Sequence, residues 1–307
     1  MESRYNRRTF LKTAGFATAA GSAALAGLVP ASVRAIEPIT RNGTAKFKFS
    51  LAAYSYRNLL GGDSPEMTME DFVRDCARMQ LEGTEPTSYW FPDPPSREYL
   101  LKLKKLAFDL GLAISGTAVN NDFCHPPGED RDQSIAHVKK WSDHAAVLGA
   151  PTIRIFSGYR RNDQTLEEAY KLCVEAIEEC CDYSGKQGVY LALENHGGLS
   201  VPVESMMRII KDVKSPWFGI NLDTGNFHSD DVYADMARVA PYTVNVQVKL
   251  ETRGTDGKTV PTDFARLAEI LKGAGYRGFI VLERDKVGDA PRVECPKVIE
   301  RLREAFA

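Results

Sequence analysis

Four segments of this 307-residue chain end on a group able to hold a cation or move a proton: Leu-Ala-Leu-Glu at Glu194, Ile-Asn-Leu-Asp at Asp223, Val-Asn-Val-Gln at Gln247 and Ile-Val-Leu-Glu at Glu283. Each polar residue closes an apolar, β-forming run, and the carboxyl ends of parallel strands are where α/β folds carry their chemistry. Alternation sharpens the point. Val189, Leu191 and Leu193 share one face and Glu194 takes the other; Phe218, Ile220 and Leu222 oppose Asn221 and Asp223; Val244, Val246 and Val248 oppose Asn245, Gln247 and Lys249. Ile280 and Leu282 flank Val281, whose face Glu283 shares. Period two therefore turns Glu194, Asp223, Gln247 and Glu283 away from the helices. Three carboxylates and an amide converging at one end of a fold would repel one another, and a divalent cation would remove that repulsion. The alternative is a solvated acidic rim in which each carboxylate only caps the next helix. Asn221 and Asn245, lower on the same face, read as amides that support the site without binding the ion.

The elements that must position these groups alternate along the chain. Strand-like runs cover residues 47–54, 81–85, 112–119, 152–156, 189–194, 218–223, 243–249 and 279–283. Helical periodicity fills the gaps: Leu166, Ala169, Tyr170, Cys173, Ala176, Ile177 and Cys180 recur three and four apart, as do Leu100, Leu103, Leu106, Ala107 and Leu110. Gly111, Gly149, Gly188 and Gly275 stand between helix and following strand, where C-cap glycines stand. Eight strands alternating with eight helices predict an α/β fold, a (β/α)8 TIM barrel. No Gly-x-Gly-x-x-Gly follows the first strand, which argues against a dinucleotide-binding doubly wound sheet. Two loops exceed what a βα turn needs: residues 87–95, with Tyr89, Trp90 and Phe91 in succession, and residues 120–131, with Asn120, Asn121, Phe123 and His125. Trp90 and His125 become candidate substrate contacts in an apolar platform for a sugar ring, or the aromatics simply cap the barrel core.

A content of 43% hydrophobic and 26% charged residues is that of an ordinary globular protein, and a net charge of −2 argues against a nucleic-acid partner. Six cysteines without a C-x-x-C pair read as small packing residues. The first 35 residues read as a processing segment. Arg7-Arg8-Thr9-Phe10-Leu11-Lys12 resembles a twin-arginine export signature, a weakly apolar Ala/Gly stretch follows from Ala14 to Val29, and Val33-Arg34-Ala35 offers a small-residue cleavage site. The apolar stretch is too short and glycine-rich to span a membrane well. The expected organisation is an export signal over 1–35 and a single barrel domain over 36–307, located in the periplasm or outside the cell, with no stable membrane insertion after cleavage. Loss of Arg4, Arg7, Arg8, Lys12, Arg34 and Glu2 would take the net charge from −2 to −6.

On Leu193-Glu194-Asn195-His196, Asn221-Leu222-Asp223-Thr224-Gly225, Val246-Gln247-Val248-Lys249, Leu282-Glu283 and Arg154-Ile155-Phe156-Ser157-Gly158, the chain resembles the xylose-isomerase-like TIM barrels over residues 46 to 305. The similarity points to the sugar isomerase/epimerase branch, which includes ketose 3-epimerases, hydroxypyruvate isomerases and dehydratases. It implies metal ligands at Glu194, Asp223, Gln247 and Glu283. Gln247 stands where the family often has His, and Asn226 where many epimerases carry a His three residues after the Asp; His228 is a conceivable substitute. With Gln247 the set becomes all oxygen, which favours Mn2+ or Mg2+ over Zn2+.

The resemblance further implies chemistry on a keto-sugar or related polyhydroxy carbonyl compound through an enediolate. Glu194 and Glu283 are then the acid–base pair. Lys249 would hold a substrate oxygen or stabilise the oxyanion, unless it merely pairs with one of the acids. Arg253 and Asn226 are candidate substrate contacts; His196 contacts a substrate hydroxyl or is a buried structural histidine. The leading expectation is a metal-dependent sugar isomerase or epimerase. A lyase or dehydratase on a keto-sugar or keto-glycoside comes second, and a non-catalytic sugar-binding barrel third. Five histidines are too few for the trinuclear zinc site of the apurinic endonucleases. The expected partner is a small carbohydrate, and homo-oligomerisation stays open.

Overall fold

Alternation of β-forming runs with amphipathic segments produces a parallel barrel, seen in a computed structural model that describes residues 36–285 and 290–307. The export signal expected over residues 1–35 lies outside the described residues. The strands are β1 (Lys46–Leu51), β2 (Gly83–Thr84), β3 (Ala113–Ile114), β4 (Thr117–Ala118), β5 (Thr152–Ile155), β6 (Tyr190–Glu194), β7 (Phe218–Asp223), β8 (Thr243–Val248), β9 (Glu251–Arg253), β10 (Thr259–Pro261) and β11 (Arg277–Leu282). The helices are α1 (Arg57–Leu60), α2 (Met69–Arg78), α3 (Arg97–Asp109), α4 (Glu129–Leu148), α5 (Leu166–Ser184), α6 (Val203–Asp212), α7 (Val232–Val239), α8 (Phe264–Gly273) and α9 (Pro291–Phe306).

Seven strands form one parallel sheet in the order β1-β11-β8-β7-β6-β5-β4, and β2 pairs in parallel with β3. Main-chain bonds close the ring: Glu82 N donates to Phe49 O (3.0 Å), Glu85 N to Leu51 O (2.9 Å) and Ala53 N to Glu85 O (2.9 Å). Because β3 and β4 occupy one barrel position, the eight strand positions expected from the sequence are all present. The third strand is interrupted between Ile114 and Thr117, at Gly116. A Cβ on Gly116 would stand 2.7 Å from Thr152 Oγ1 and 3.3 Å from Glu85 Oε2, so the chain crosses here only without a side chain. The first strand is shorter than expected, since Ala53–Tyr56 forms a 3-10 turn.

The face of the sheet that meets the helices carries Leu191, Leu193, Ile220, Leu222, Val246, Val248, Ile280 and Leu282, all fully buried. Burial of each such side chain contributes roughly 1.5–3 kcal/mol. Helix α5 supplies Ala169, Tyr170, Cys173, Ala176, Ile177 and Cys180 to the core, whereas Leu166 at its first position is exposed. Its start is fixed by a capping box: Glu168 N donates to Thr165 Oγ1 (3.2 Å) and Thr165 N to Glu168 Oε2 (2.7 Å). Gly149 ends α4 with φ 85°, a conformation that favours glycine. All six cysteines are buried and free, in keeping with a packing role. Among the described residues no helix is long and apolar enough to cross a membrane.

Candidate active site

Strand parity delivers Glu194, Asp223, Gln247, Lys249 and Glu283 to the inside of the barrel, and all five are buried. The strand ends are tied to one another by side chains from the turns. Asn195 donates to Asp223 O (2.8 Å) and accepts from Asp223 N (2.9 Å), which locks the end of β6 to the end of β7. Thr224 Oγ1 accepts from Lys249 N (2.9 Å), and Thr262 Oγ1 donates to Lys249 O (2.8 Å), so the residue after β8 is pinned on both sides. A cleft of about 550 Å3 opens over these ends. Glu194, Lys249, Glu283 and Asn226 line it together with Arg154 and an apolar wall that includes Tyr54, Tyr89 and Phe156.

Three carboxylates meet two cations here. Lys249 Nζ donates to Glu283 Oε1 and lies 3.5 Å from Asp223 Oδ2. Arg154 Nε lies 2.9 Å from Glu194 Oε2, and Asn226 Nδ2 donates to Glu194 Oε1 (2.9 Å). Asp223 Oδ1 accepts from Gly225 N (2.8 Å), while its buried Oδ2 has no hydrogen bond. Burial pushes Glu194 up to about 7 against the pull of Arg154, and pushes Asp223 up to about 8 against the pull of Lys249. Glu283 behaves oppositely: burial works to raise it, but the charge and hydrogen bond of Lys249 outweigh burial and hold it below the usual carboxylate range. Burial works against the charge of Lys249, yet Asp223 and Glu283 more than compensate and keep the ammonium protonated.

Beneath this cluster lies a floor of amides. Gln247 Nε2 donates to Glu85 Oε1 (2.6 Å), Asn245 Nδ2 donates to Glu85 Oε2 (2.8 Å) and to Asn221 Oδ1 (2.8 Å), and Asn221 Nδ2 donates to Gln247 Oε1 (2.7 Å). Glu85 offers only acceptors when ionised, which fixes the direction of the Gln247 amide. Burial pushes Glu85 up to about 7.

The four residues expected to hold Mn2+ or Mg2+ therefore arrive in a different arrangement. Glu194, Asp223 and Glu283 do converge, but Gln247 has both ends of its amide committed in the floor and is turned away from the cleft. Lys249 Nζ stands against two of the three carboxylates. Among the described residues no group of three or more acidic, His or Cys side chains is disposed to hold a metal ion. As folded, the donor set does not fit a divalent cation.

Other expected contacts divide. His196 is exposed in the cleft with its ring 4.5 Å from that of Phe156, so it is not a buried structural histidine. Trp90 packs behind Tyr54 and Tyr89 (ring centroids 6.0 and 5.7 Å), and Tyr89 takes the place at the cleft expected for it. His125 lies outside the main cleft. Asn121 clamps its loop to the end of β5 through Phe156 N and O (2.8 Å each), and His125 falls beyond, beside Arg161 in an adjoining recess of about 790 Å3. Arg253 is also displaced: the chain turns into the β9–β10 hairpin directly after Lys249, leaving Arg253 exposed and bridged to His228, itself exposed.

Two residues of the site, Glu85 and Arg154, have no site role in the sequence reading, although the signal is there. Glu85 closes the run from Leu81 just as Glu194 closes the run from Val189. Arg154 is a lone charge within Thr-Ile-Arg-Ile, on the inward parity of β5. It also donates to Val119 O (2.9 Å) and Tyr89 OH (3.1 Å), and its guanidinium lies 4.0 Å from the centre of the Phe156 ring.

A family model described as "Xylose isomerase-like TIM barrel" matches residues 73–305. Among solved structures, D-psicose 3-epimerase from Clostridium cellulolyticum superposes with a TM-score of 0.70 at 15% identity, covering 84% of this chain and 99% of that one. An L-ribulose 3-epimerase gives 0.70 at 15% identity, covering 84% and 94%. The 3-keto-D-glucoside 4-epimerase of E. coli gives 0.65 at 14% identity, covering 85% and 99%. No curated protein sequence matches the chain.

Proposed function

The chain belongs to the xylose isomerase-like TIM barrel family, and from that premise we propose that it is a sugar isomerase or epimerase acting on a keto-sugar or a related polyhydroxy carbonyl compound. One observation carries the reading: two carboxyl groups of opposite proton affinity, Glu283 and Glu194, open into one cleft beside the Lys249 ammonium. Environments that push two carboxyl groups apart assign the acid and the base. Structural neighbours that carry epimerase names support the same class.

In this proposal Glu283, kept ionised by Lys249, accepts the proton on the carbon next to the carbonyl. The negative charge that develops on the carbonyl oxygen takes a hydrogen bond from Lys249 Nζ, a donor already fixed in place. Glu194, which holds its proton near neutral pH, delivers it to the resulting enediolate. Delivery to the opposite face of the same carbon inverts it; delivery to the neighbouring carbon moves the carbonyl once the hydroxyl proton of the first carbon has passed to the enediolate oxygen. Arg154 and Asn226 orient Glu194. Tyr54, Tyr89, Phe156 and His196 supply flat surfaces for the C–H face of the sugar and keep water out. The Mn2+ or Mg2+ expected from the sequence finds no cradle in this arrangement, and no step runs through it.

Incubation of the purified protein with a panel of keto-sugars and keto-glycosides in D2O tests the proposal. Deuterium at the carbon next to the carbonyl, with an epimer or isomer as product, is the expected result. New unsaturation would assign a lyase instead, and saturable binding without exchange a sugar-binding barrel. Neither binding nor exchange across the panel overturns the sugar reading.

A further inference from the structure

We propose that the Lys249 ammonium is the resident cation of this site, filling the place among Asp223, Glu283 and Glu194 that the sequence assigns to a divalent metal, so that the folded protein takes up no Mn2+ or Mg2+ there. The inference rests on the side chains of the site and not on the reaction proposed above.

Three observations carry it. Lys249 Nζ is hydrogen-bonded to Glu283 and stands 3.5 Å from Asp223 Oδ2, a buried oxygen with no hydrogen bond of its own. The lysine stem is built in. A Cβ on Gly225 would lie 2.7 Å from Lys249 Cγ and 2.9 Å from Lys249 Cβ, so the glycine two residues after Asp223 clears its path. The Lys249 main chain is held at both N–H and C=O by Thr224 and Thr262, and the Tyr54 ring centre lies 5.7 Å from Nζ. The ammonium meets the repulsion among the carboxylates as a divalent ion would, but it brings donors in place of open coordination positions. A second cation entering here would face both Lys249 and Arg154.

The test titrates Mn2+ into purified wild-type protein and reads the electron-spin-resonance signal of the free ion, with Asp223→Asn as the control for binding elsewhere. Beyond that background, the wild type should leave the free-ion signal undiminished. Lys249→Ala, which removes the ammonium and opens its space, should sequester one equivalent. If the alanine variant does not fold, Lys249→Met keeps the stem over Gly225 and removes only the charge. One equivalent of Mn2+ held by wild type and lost in Asp223→Asn overturns the proposal. So does a folded Lys249 variant that leaves all the Mn2+ free, because the ammonium would then fill no cation's place. A silent keto-sugar screen bears on neither result.

Discussion

Gln247 Nε2 donates to Glu85 Oε1 at 2.6 Å, joining residues 162 positions apart across the inside of the barrel. Glu85 also accepts from Asn245, so the carboxylate is the common acceptor of the floor. Glu85→Ala orphans two buried donors. At about 1–3 kcal/mol for each unsatisfied group, stability should fall by roughly 2–6 kcal/mol. Urea denaturation would show this as a lower midpoint with an unchanged slope. A loss below about 0.5 kcal/mol, the level of a neutral surface change, would mean that the floor carries no stability.

Arg154→Met leaves Glu194 buried without its opposing charge. Breaking a buried pair by removing one partner costs about 3–5 kcal/mol. Because Glu194 holds its proton up to about pH 7, the deficit should approach that figure only in alkaline solution, where the wild-type pair is ionised, and shrink toward acid. Equal losses at pH 6 and pH 9 would show that lost packing on Phe156, not lost charge, is what the variant suffers.

Glu194 also shapes the pH dependence of folding. Its pKa rises from 4.5 to about 7 on folding, so the folded state binds more protons in that window. Its contribution to stability is therefore largest below pH 4.5 and is lost as pH rises toward 7. Glu194→Gln should remove that downward slope, by up to about 1.4 kcal/mol per pH unit. Chemical denaturation between pH 5 and pH 7 checks the sign: the variant's curve should be flatter than the wild type's, and a steeper fall in the variant would contradict the shift.

For catalysis, Glu283→Gln should abolish exchange of the substrate α-proton, and Glu194→Gln should abolish inversion or isomerisation while sparing part of the exchange. The glutamine amide cannot carry a proton near neutral pH, so each loss should fall on kcat by about 10^2–10^4-fold with substrate binding largely kept. Exchange at the wild-type rate in both variants would remove the pair from the chemistry.

Outside the barrel, the reading of residues 1–35 as an export signal predicts that Arg7→Lys combined with Arg8→Lys holds the precursor in the cytoplasm and that the mature protein begins near Ile36. Fractionation and amino-terminal sequencing decide it; normal export of the double-lysine chain would point to another route.

Parity makes the barrel and the inward placement of Glu194, Asp223, Gln247 and Glu283 legible in the order of residues alone, because a strand's two faces are fixed by its period. What parity does not carry is direction within a face. Gln247 and Lys249 share a face of one strand, yet the first bonds downward to Glu85 and the second reaches Glu283. That split depends on partners at the ends of β2 and β11, far away in sequence. Loop contacts are equally hidden: Trp90 and Tyr89 are neighbours with similar chemistry, and only packing against Tyr54 decides which one faces the cleft. Arg253 falls elsewhere than expected because the turn Gly254-Thr255-Asp256-Gly257, announced by its Asp-Gly pair, folds the chain back into the β9–β10 hairpin.

The absent side chain of Gly225 has a consequence for descent. The lysine route past it depends on choices made on several strands: Gly225 clears the stem, Lys249 supplies the charge, and Gln247 is held by the floor. A lineage moving from this arrangement to a metal-holding one would pass through a replacement of Lys249, with Gln247 still tied to Glu85 and Asn221. Replacing Lys249 alone leaves three acids with a single counter-charge, and enlarging Gly225 alone drives the stem off its path. An intermediate without Lys249 needs a divalent ion to supply the charge that the lysine gave up, so its stability would follow the metal supply.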